Sequence, residues 1–275
     1  MKTIVQRKRI TIESGDHAVI RDERSDKRVN QWARSLFIHI AEGARLSYID
    51  LQQLADTASE LTVMTVLMDA HSSFSYEGLH RGARYAKTVI NLVLQGEGAG
   101  AQLNVGSLAT GMQRHSFITT QHHRSPRAKS SCIVRTAVYD AACVRYYGSI
   151  DVDEQAQLSE AYQQHKAMLM SDKARAFARP SLSISAHDVQ CGHGSAIGQL
   201  DEEHLLYLQG RGIDPNAAEQ LLIRSFFDEL YGDSVLQDTV RNMGMYAKNL
   251  NKSPASACVF TKLSLYRKAL WNVSY

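Results

Sequence analysis

Through its first 180 residues the chain runs in short apolar segments with partial alternation. Examples are SLFIHI (Ser35 to Ile40), LTVMTVLM (Leu61 to Met68), TVINLVL (Thr88 to Leu94) and SCIVRTAVY (Ser131 to Tyr139). Runs of this length and β-branched content predict strands rather than helices. Only Pro126 and Pro180 interrupt the region.

Between the runs a degenerate unit recurs: an acidic residue, any residue, alanine, any residue, then an apolar residue. It reads Asp16-His-Ala18-Val-Ile20, Glu42-Gly-Ala44-Arg-Leu46, Glu97-Gly-Ala99-Gly-Ala101, Asp140-Ala-Ala142-Cys-Val144, Glu154-Gln-Ala156-Gln-Leu158 and Asp172-Lys-Ala174-Arg-Ala176. Glycine often precedes the unit or sits inside it and supplies the backbone freedom of a tight corner. This is the logic of a solenoid: a polar residue marks the corner, alanine packs inside it, and the next strand stacks on the rung below. The spacing is irregular, and periodicity alone fits an antiparallel β-sandwich equally well.

After Pro180 the character changes. Leu182 and Ile184 predict a last strand, the stretch DVQCGHGSAIGQL follows, and the pattern then turns helical. Asp201 reads as an N-cap, with Glu202 and Glu203 in the first turn where the helix dipole favours negative charge. Leu205, Leu206 and Leu208 supply an apolar side, and Gly210 and Gly212 stop the helix. Asp214-Pro215 pairs a capping residue with proline at the first helical position, a strong start signal. Ala218, Leu221, Leu222, Phe226 and Leu230 then predict a broad apolar face. A further helix is expected over Leu236 to Ala247, and Ala255 to Tyr275 forms another helix or an irregular tail. The expected organisation is a solenoid over residues 1–199, a helical region over 200–250 and a tail over 251–275.

Composition removes several function classes. Hydrophobic residues make up 44% and charged residues 21% of the 275, ordinary for a folded globular chain. The formal charge of +3 is small and dispersed, so nucleic-acid binding is not implied. RSPRAK (Arg124 to Lys129) reads as a solvated loop at Pro126. The amino terminus lacks a secretory apolar run, and nothing approaches the roughly 18 apolar residues of a membrane span, so a cytoplasmic protein is expected. Cys132, Cys143, Cys191 and Cys258 form no Cys-x-x-Cys pair, which predicts free thiols, with Cys132 and Cys143 buried as small hydrophobes.

Candidate chemistry is sparse. Gly96, Gly98, Gly100 and Gly106 cluster without a GxxxxGK[ST] pattern, which argues against ATP binding and for solenoid corners. His115, His122 and His123 lack a cysteine or carboxylate at ligand spacing and read as exposed strand histidines. The acidic residues occupy corner positions rather than a paired cluster, which weakens a β-helix enzyme acting on polysaccharide. Cys191 and His193, one residue apart, project to the same face of an extended strand and make half of a metal site that a partner can complete. A nucleophile with its base is the other reading of the pair, although no third orienting residue is evident. On spacing alone, the flanking glycines favour a structural bend.

DVQCGHGSAIGQLDEEHLLYLQGRGI (Asp188 to Ile213) resembles the signature of the SufB and SufD proteins of iron-sulfur cluster assembly, on the SufD side. That signature is an Asp-Val-x-Cys-Ser-His-Gly-Ala segment, then Gly-x-Leu-Asp, then a Phe-Tyr-Leu-x-Ser-Arg-Gly-Ile helix end. GEGAGAQLNVGSL, HHRSPRAKSS and the segment from Tyr146 to Ile184 extend the likeness upstream, and Ala217 to Glu229 extends it downstream. The resemblance implies a right-handed parallel β-helix followed by a small helical domain. It implies a noncatalytic scaffold that pairs with SufB, binds the SufC ATPase through its terminal helices, and supports formation and transfer of a nascent iron-sulfur cluster.

By the same resemblance His193 lies at the SufB contact and helps to hold the cluster with a cysteine from SufB, and Cys191 is a secondary candidate. The family's N-terminal helical region has no counterpart here, Gly192 replaces the usual serine, and the residues from about Met245 match nothing in the pattern. A divergent, self-associating relative outside the full complex, as a homodimer, is the alternative within the family.

Overall fold

A computed structural model describes residues 2–26 and 28–231 together with Leu236 and Thr239. Fourteen strands follow one another: β1 (Lys2–Ile12), β2 (His17–Arg24), β3 (Val29–Ile40), β4 (Arg45–Gln53), β5 (Ser59–Met68), β6 (Ser73–Arg81), β7 (Tyr85–Leu94), β8 (Gly100–Ala109), β9 (Arg114–His123), β10 (Lys129–Val138), β11 (Cys143–Val152), β12 (Glu160–Leu169), β13 (Arg175–Ile184) and β14 (Gln190–Gln199). Helices α1 (Glu202–Gly210) and α2 (Pro215–Tyr231) complete the described chain. The odd strands pair in sequence order into one seven-stranded parallel sheet and the even strands into another. The chain therefore winds as a β-solenoid with two strands to a turn, which decides for the solenoid over the sandwich.

Register is carried by columns of like residues. Ile12, Ile40, Met68 and Leu94 stack directly upon one another and continue through His123, Val152 and Ile184. Alternate residues of each strand enter the lumen, where most are buried, so a slip of one residue would expose the whole set. The repeated alanines sit where the unit requires: Ala44, Ala99, Ala142, Ala156 and Ala174 are sealed inside corners. Ala18, on the first even strand, is half-buried.

One end of the lumen is ionic. Arg24 pairs with Asp50 and, at 2.7 Å, with Glu60, while Arg34 reaches Asp22 at 2.9 Å and Asp50 at 3.2 Å. The hydroxyls of Tyr76 and Tyr48 donate to Asp50 and Asp22 at 2.8 and 2.9 Å. Burial disfavours the Asp50 carboxylate, but the two guanidiniums outweigh it and hold its pKa far below the usual range. Three carboxylates thus do converge, enclosed and held by arginine, an arrangement unlike the open acid pair of a glycosidase.

Asp201 caps α1 as expected, accepting from the amides of Glu203 and His204 at 2.9 and 3.2 Å. Helix α2 lies across the outer face of the even sheet. Its buried residues are Ala218, Ile223, Phe227, Leu230 and Tyr231, packed on Ile49, Leu51, Leu79, Leu108 and Ala137. The face expected from spacing is therefore turned: Leu221 is exposed, and Phe226 stacks beside Arg135 at the margin. The helix expected over Leu236 to Ala247, apart from Leu236 and Thr239, and the tail over 251–275 with Cys258 lie outside the described residues.

Candidate functional site

The last turn of the solenoid carries the site because nothing among the described residues covers it. β13 and β14 end their sheets, each pairing with one neighbour only, β11 and β12 respectively. Their lumen-facing residues are Ala178, Pro180, Leu182 and Ile184 on one side and Cys191, His193, Ser195 and Ile197 on the other. Leu182, Ile184 and Ile197 remain 38%, 41% and 43% exposed, although their counterparts one turn earlier are buried. The lumen is open here.

Two expectations are corrected at this end. Cys191-Gly192-His193 is no bend, since it lies inside β14 with the strand continuing to Gln199. Pro180 does not interrupt the strand region, because β13 runs unbroken through it from Arg175 to Ile184. The bend occurs at 185–189, where serine, alanine and histidine mark a corner without the acidic-x-alanine unit that marks many of the others.

Cys191 and His193 share the lumen face, as their spacing predicts. His193 is exposed, whereas Cys191 is half-buried against the cluster of Ile150, Val152, Ala156, Ala161 and Ala186. That burial raises the thiol's pKa, against a weaker opposing hydrogen bond to the Ala161 backbone, so the thiol is protonated at neutral pH. Beneath them the columns continue inward: His193 stacks on Gln163 and Gln163 on Cys132. Gln163 accepts from the Tyr146 hydroxyl and donates to the Gly148 carbonyl, both at 3.3 Å. Any side chain at Gly148 would collide with Gln163 and Tyr146, so this glycine makes the room for the polar floor. A shallow depression of about 390 Å³ opens alongside, lined by Ile133, Tyr162, Gln163, Gly192 and His193 among others.

The two other described thiols are structural. Cys132 and Cys143 are buried and free, and burial pushes the Cys132 thiol up to about 11. Among the described residues no three histidine, cysteine or carboxylate side chains come together as a metal site, so Cys191 and His193 are at most two ligands of a larger set.

The histidine expectation fails in an informative way. His115 and His123 are buried in the lumen, bonded to Ser107 at 2.9 Å and Ser130 at 2.7 Å, and only His122 faces outward, 2.9 Å from Asp153. Strand alternation carries the signal, because adjacent His122 and His123 cannot both face solvent. The expected corner glycines divide: Gly96 and Gly98 turn the chain, while Gly100 and Gly106 lie within β8. RSPRAK is a corner as expected, with Arg127 paired to Glu97.

The class defined by this architecture is the open-ended parallel β-solenoid with a helix folded onto one sheet. Comparison with known proteins identifies the kind. Residues 2–226 match the family model described as the SufBD core domain of the SUF system for FeS cluster assembly. The chain belongs to that family.

It is 28% identical over 196 residues to the iron-sulfur cluster assembly protein SufD of Escherichia coli, covering 70% of this chain and 46% of that one. A SufBD family protein of Synechocystis is 26% identical over 196 residues, covering 70% and 43%, and one of Mycobacterium leprae is 25% identical over 225 residues, covering 78% and 56%. The chain spans about half the length of these relatives. No described helix is long and apolar enough to cross a membrane.

Proposed function

We propose that the chain is a noncatalytic scaffold subunit of a cytoplasmic iron-sulfur cluster assembly complex. Its open end pairs with a SufB-like chain, and its C-terminal helices carry a SufC-like ATPase. The observation behind this reading is that Cys191 and His193 stand together on the lumen face of a terminal strand with no neighbour beyond it among the described residues. A thiolate and an imidazole are both ligands for iron in such clusters, and a cluster needs more ligands than these two.

In this proposal His193 is the principal residue, Cys191 the secondary one, and the partner supplies the remaining thiolate. The nascent cluster is cargo, built at the junction and passed on. The exposed Leu206 and Tyr207 of α1 and Leu221 of α2 give the helical region, taken as residues 200–250, an apolar surface suited to a second protein. Residues 1–199 are then the solenoid and 251–275 a divergent tail.

Co-expression with SufB-like and SufC-like chains tests the reading. The expected result is co-purification of all three; a chain that binds neither partner overturns it. H193A should melt with the parent, because the side chain is exposed, and should lose at least about tenfold in cluster reconstituted on the complex, followed by visible absorbance. A large loss of stability would make His193 structural instead. C191S should give a smaller loss.

A further inference from the structure

We propose that the outer face of the odd-strand sheet is a docking surface for another protein, which lays an acidic amphipathic helix across it. The surface is separate from the open last turn and from α2, and its role stands or falls apart from theirs.

The two sheets differ on the outside. α2 packs on the even sheet, and no described helix packs on the odd one. The alternation that buries Ile90, Leu92 and Tyr146 in the lumen turns Val89, Asn91 and Tyr147 outward. Register then gathers the outward residues into columns along the solenoid axis. Val63, Val89, Ile118 and Tyr147 form an apolar column that ends at Arg179. Beside it run Lys87, Ser116, Arg145 and Phe177, and beyond these Tyr85, Arg114, Cys143 and Arg175. On its other side Thr65, Asn91, Thr120 and Ser149 are polar and uncharged.

The charge on this face is of one sign. Lys87, Arg114, Arg145, Arg175 and Arg179 have no carboxylate partner among the described residues. Arg145 instead lies over the Phe177 ring, 5.6 Å from its centre, and Arg175 donates to the carbonyls of Asp172 and Ala174 at 2.6 and 2.8 Å. The carboxylate that faces outward from these strands, Asp151, stands at the far margin and accepts from Ser149 at 2.8 Å. Tyr85, Tyr147 and Phe177 are exposed among the cations. On a chain with a formal charge of only +3, this concentration of unpaired guanidiniums is local, and it draws anions to this face.

The pattern selects the occupant. Strands in a sheet are about 4.8 Å apart, and an α-helix rises about 5.4 Å per turn. A helix laid along the apolar column therefore sets successive turns over Val63, Val89, Ile118 and Tyr147. Carboxylates on one flank of that helix then meet Lys87 and Arg145, which bind them in the way guanidinium and ammonium groups bind any carboxylate. A nucleic acid would satisfy the cations and leave the aliphatic column without a partner. The valines and Ile118 are half-buried in the sheet and do not reach into a bilayer. The chain's own residues after Asp238 include no aspartate or glutamate, and the same face of a second copy is equally cationic, so both are repelled.

The probe is a fluorescein-labelled helical peptide with leucine at three- and four-residue steps and glutamate along one flank, titrated with the full chain and read by anisotropy. It should bind saturably. R145E and R179E should each weaken it at least about tenfold, and Y147S about fivefold, while all melt with the parent. Arg179 and Tyr147 are exposed, so those two variants still report if R145E unfolds. An oligoglutamate without leucine should bind at least about tenfold more weakly than the probe. Failure of the parent to bind the probe overturns the proposal, as does binding that the variants leave unchanged. Equal binding of oligoglutamate would reduce the face to charge attraction and overturns it too. Tighter binding of oligo(dT) or of phosphatidylserine vesicles would replace the protein partner with a nucleic acid or a membrane.

Discussion

Leu158 holds a backbone conformation that costs an L-residue free energy, with φ at +61°. It does so because the corner demands it. Gly15, Gly43, His71, Gly98, Arg127 and Leu158 occupy the same left-handed position in successive turns, and each donates its amide to the corner carbonyl of the next: Glu42, Ala70, Glu97, Pro126, Gln157 and Asp188. The ladder continues whichever residue stands there, but a left-handed non-glycine residue costs about 1–2 kcal/mol. L158G should therefore raise stability by about 1 kcal/mol and the melting temperature by roughly 2–4 °C. A lower melting temperature would show that the half-exposed leucine packs on something worth more than the strain. Asp50 is the converse case, a charge held only by its partners. D50N leaves Arg24 and Arg34 buried with one anion fewer and should cost about 3–5 kcal/mol in denaturant unfolding; a loss below about 1 kcal/mol would mean that water already reaches the cluster.

At the scale of elements, α2 is held by a notch. The Tyr231 hydroxyl donates to the Gly78 carbonyl, and a methyl group at Gly106 would run into that hydroxyl and into Leu79. G106A should loosen α2 by about 1–3 kcal/mol, read as faster amide exchange along Pro215–Tyr231 with the solenoid amides unchanged. Y231F should cost about 1 kcal/mol, and in the double variant the two losses should fall short of additive because the hydroxyl is the colliding atom. If they add in full, the clash lies with Leu79. This contact was not legible in the sequence: Gly106 reads as one more glycine in a cluster, and both possible stripes of α2 are apolar, so period alone does not choose between them. The strands and the alanine corners were legible, because alternation and a small residue at each turn are local demands. Cys191 and His193 were legible as a pair on one face, while their place on a terminal strand was not, since the corner at 185–189 lacks the acidic-x-alanine unit.

The whole molecule encloses neutral histidines, and that ties its stability to pH. His80, His123 and His165 lie in the lumen of different turns, and burial lowers each to about 4, while His115 is lowered for the same reason. His123 and His165 each bond through Nε2, to Ser130 and Thr136, and leave Nδ1 without a protein partner, so a proton added there would be a buried, unpartnered charge. The unfolded chain takes up these protons near pH 6.5 and the folded chain does not. Folded pKa values below unfolded ones make the contribution complete above about pH 6.5 and progressively lost as pH falls toward about 4. Asp50 does not confuse this window, because a carboxylate whose pKa is depressed loses its contribution only below the ordinary aspartate range. Denaturant unfolding from pH 7 to pH 4 should show stability falling by several kcal/mol in total, at the order of 1–3 kcal/mol for each buried imidazole. H165Q keeps a polar side chain in the column and should make the decline shallower by one such share, whatever it does to stability at pH 7. A profile equally steep in H165Q and the parent would place the protonation elsewhere, and a flat parent profile would mean that the lumen admits water freely enough to charge its histidines in the folded state.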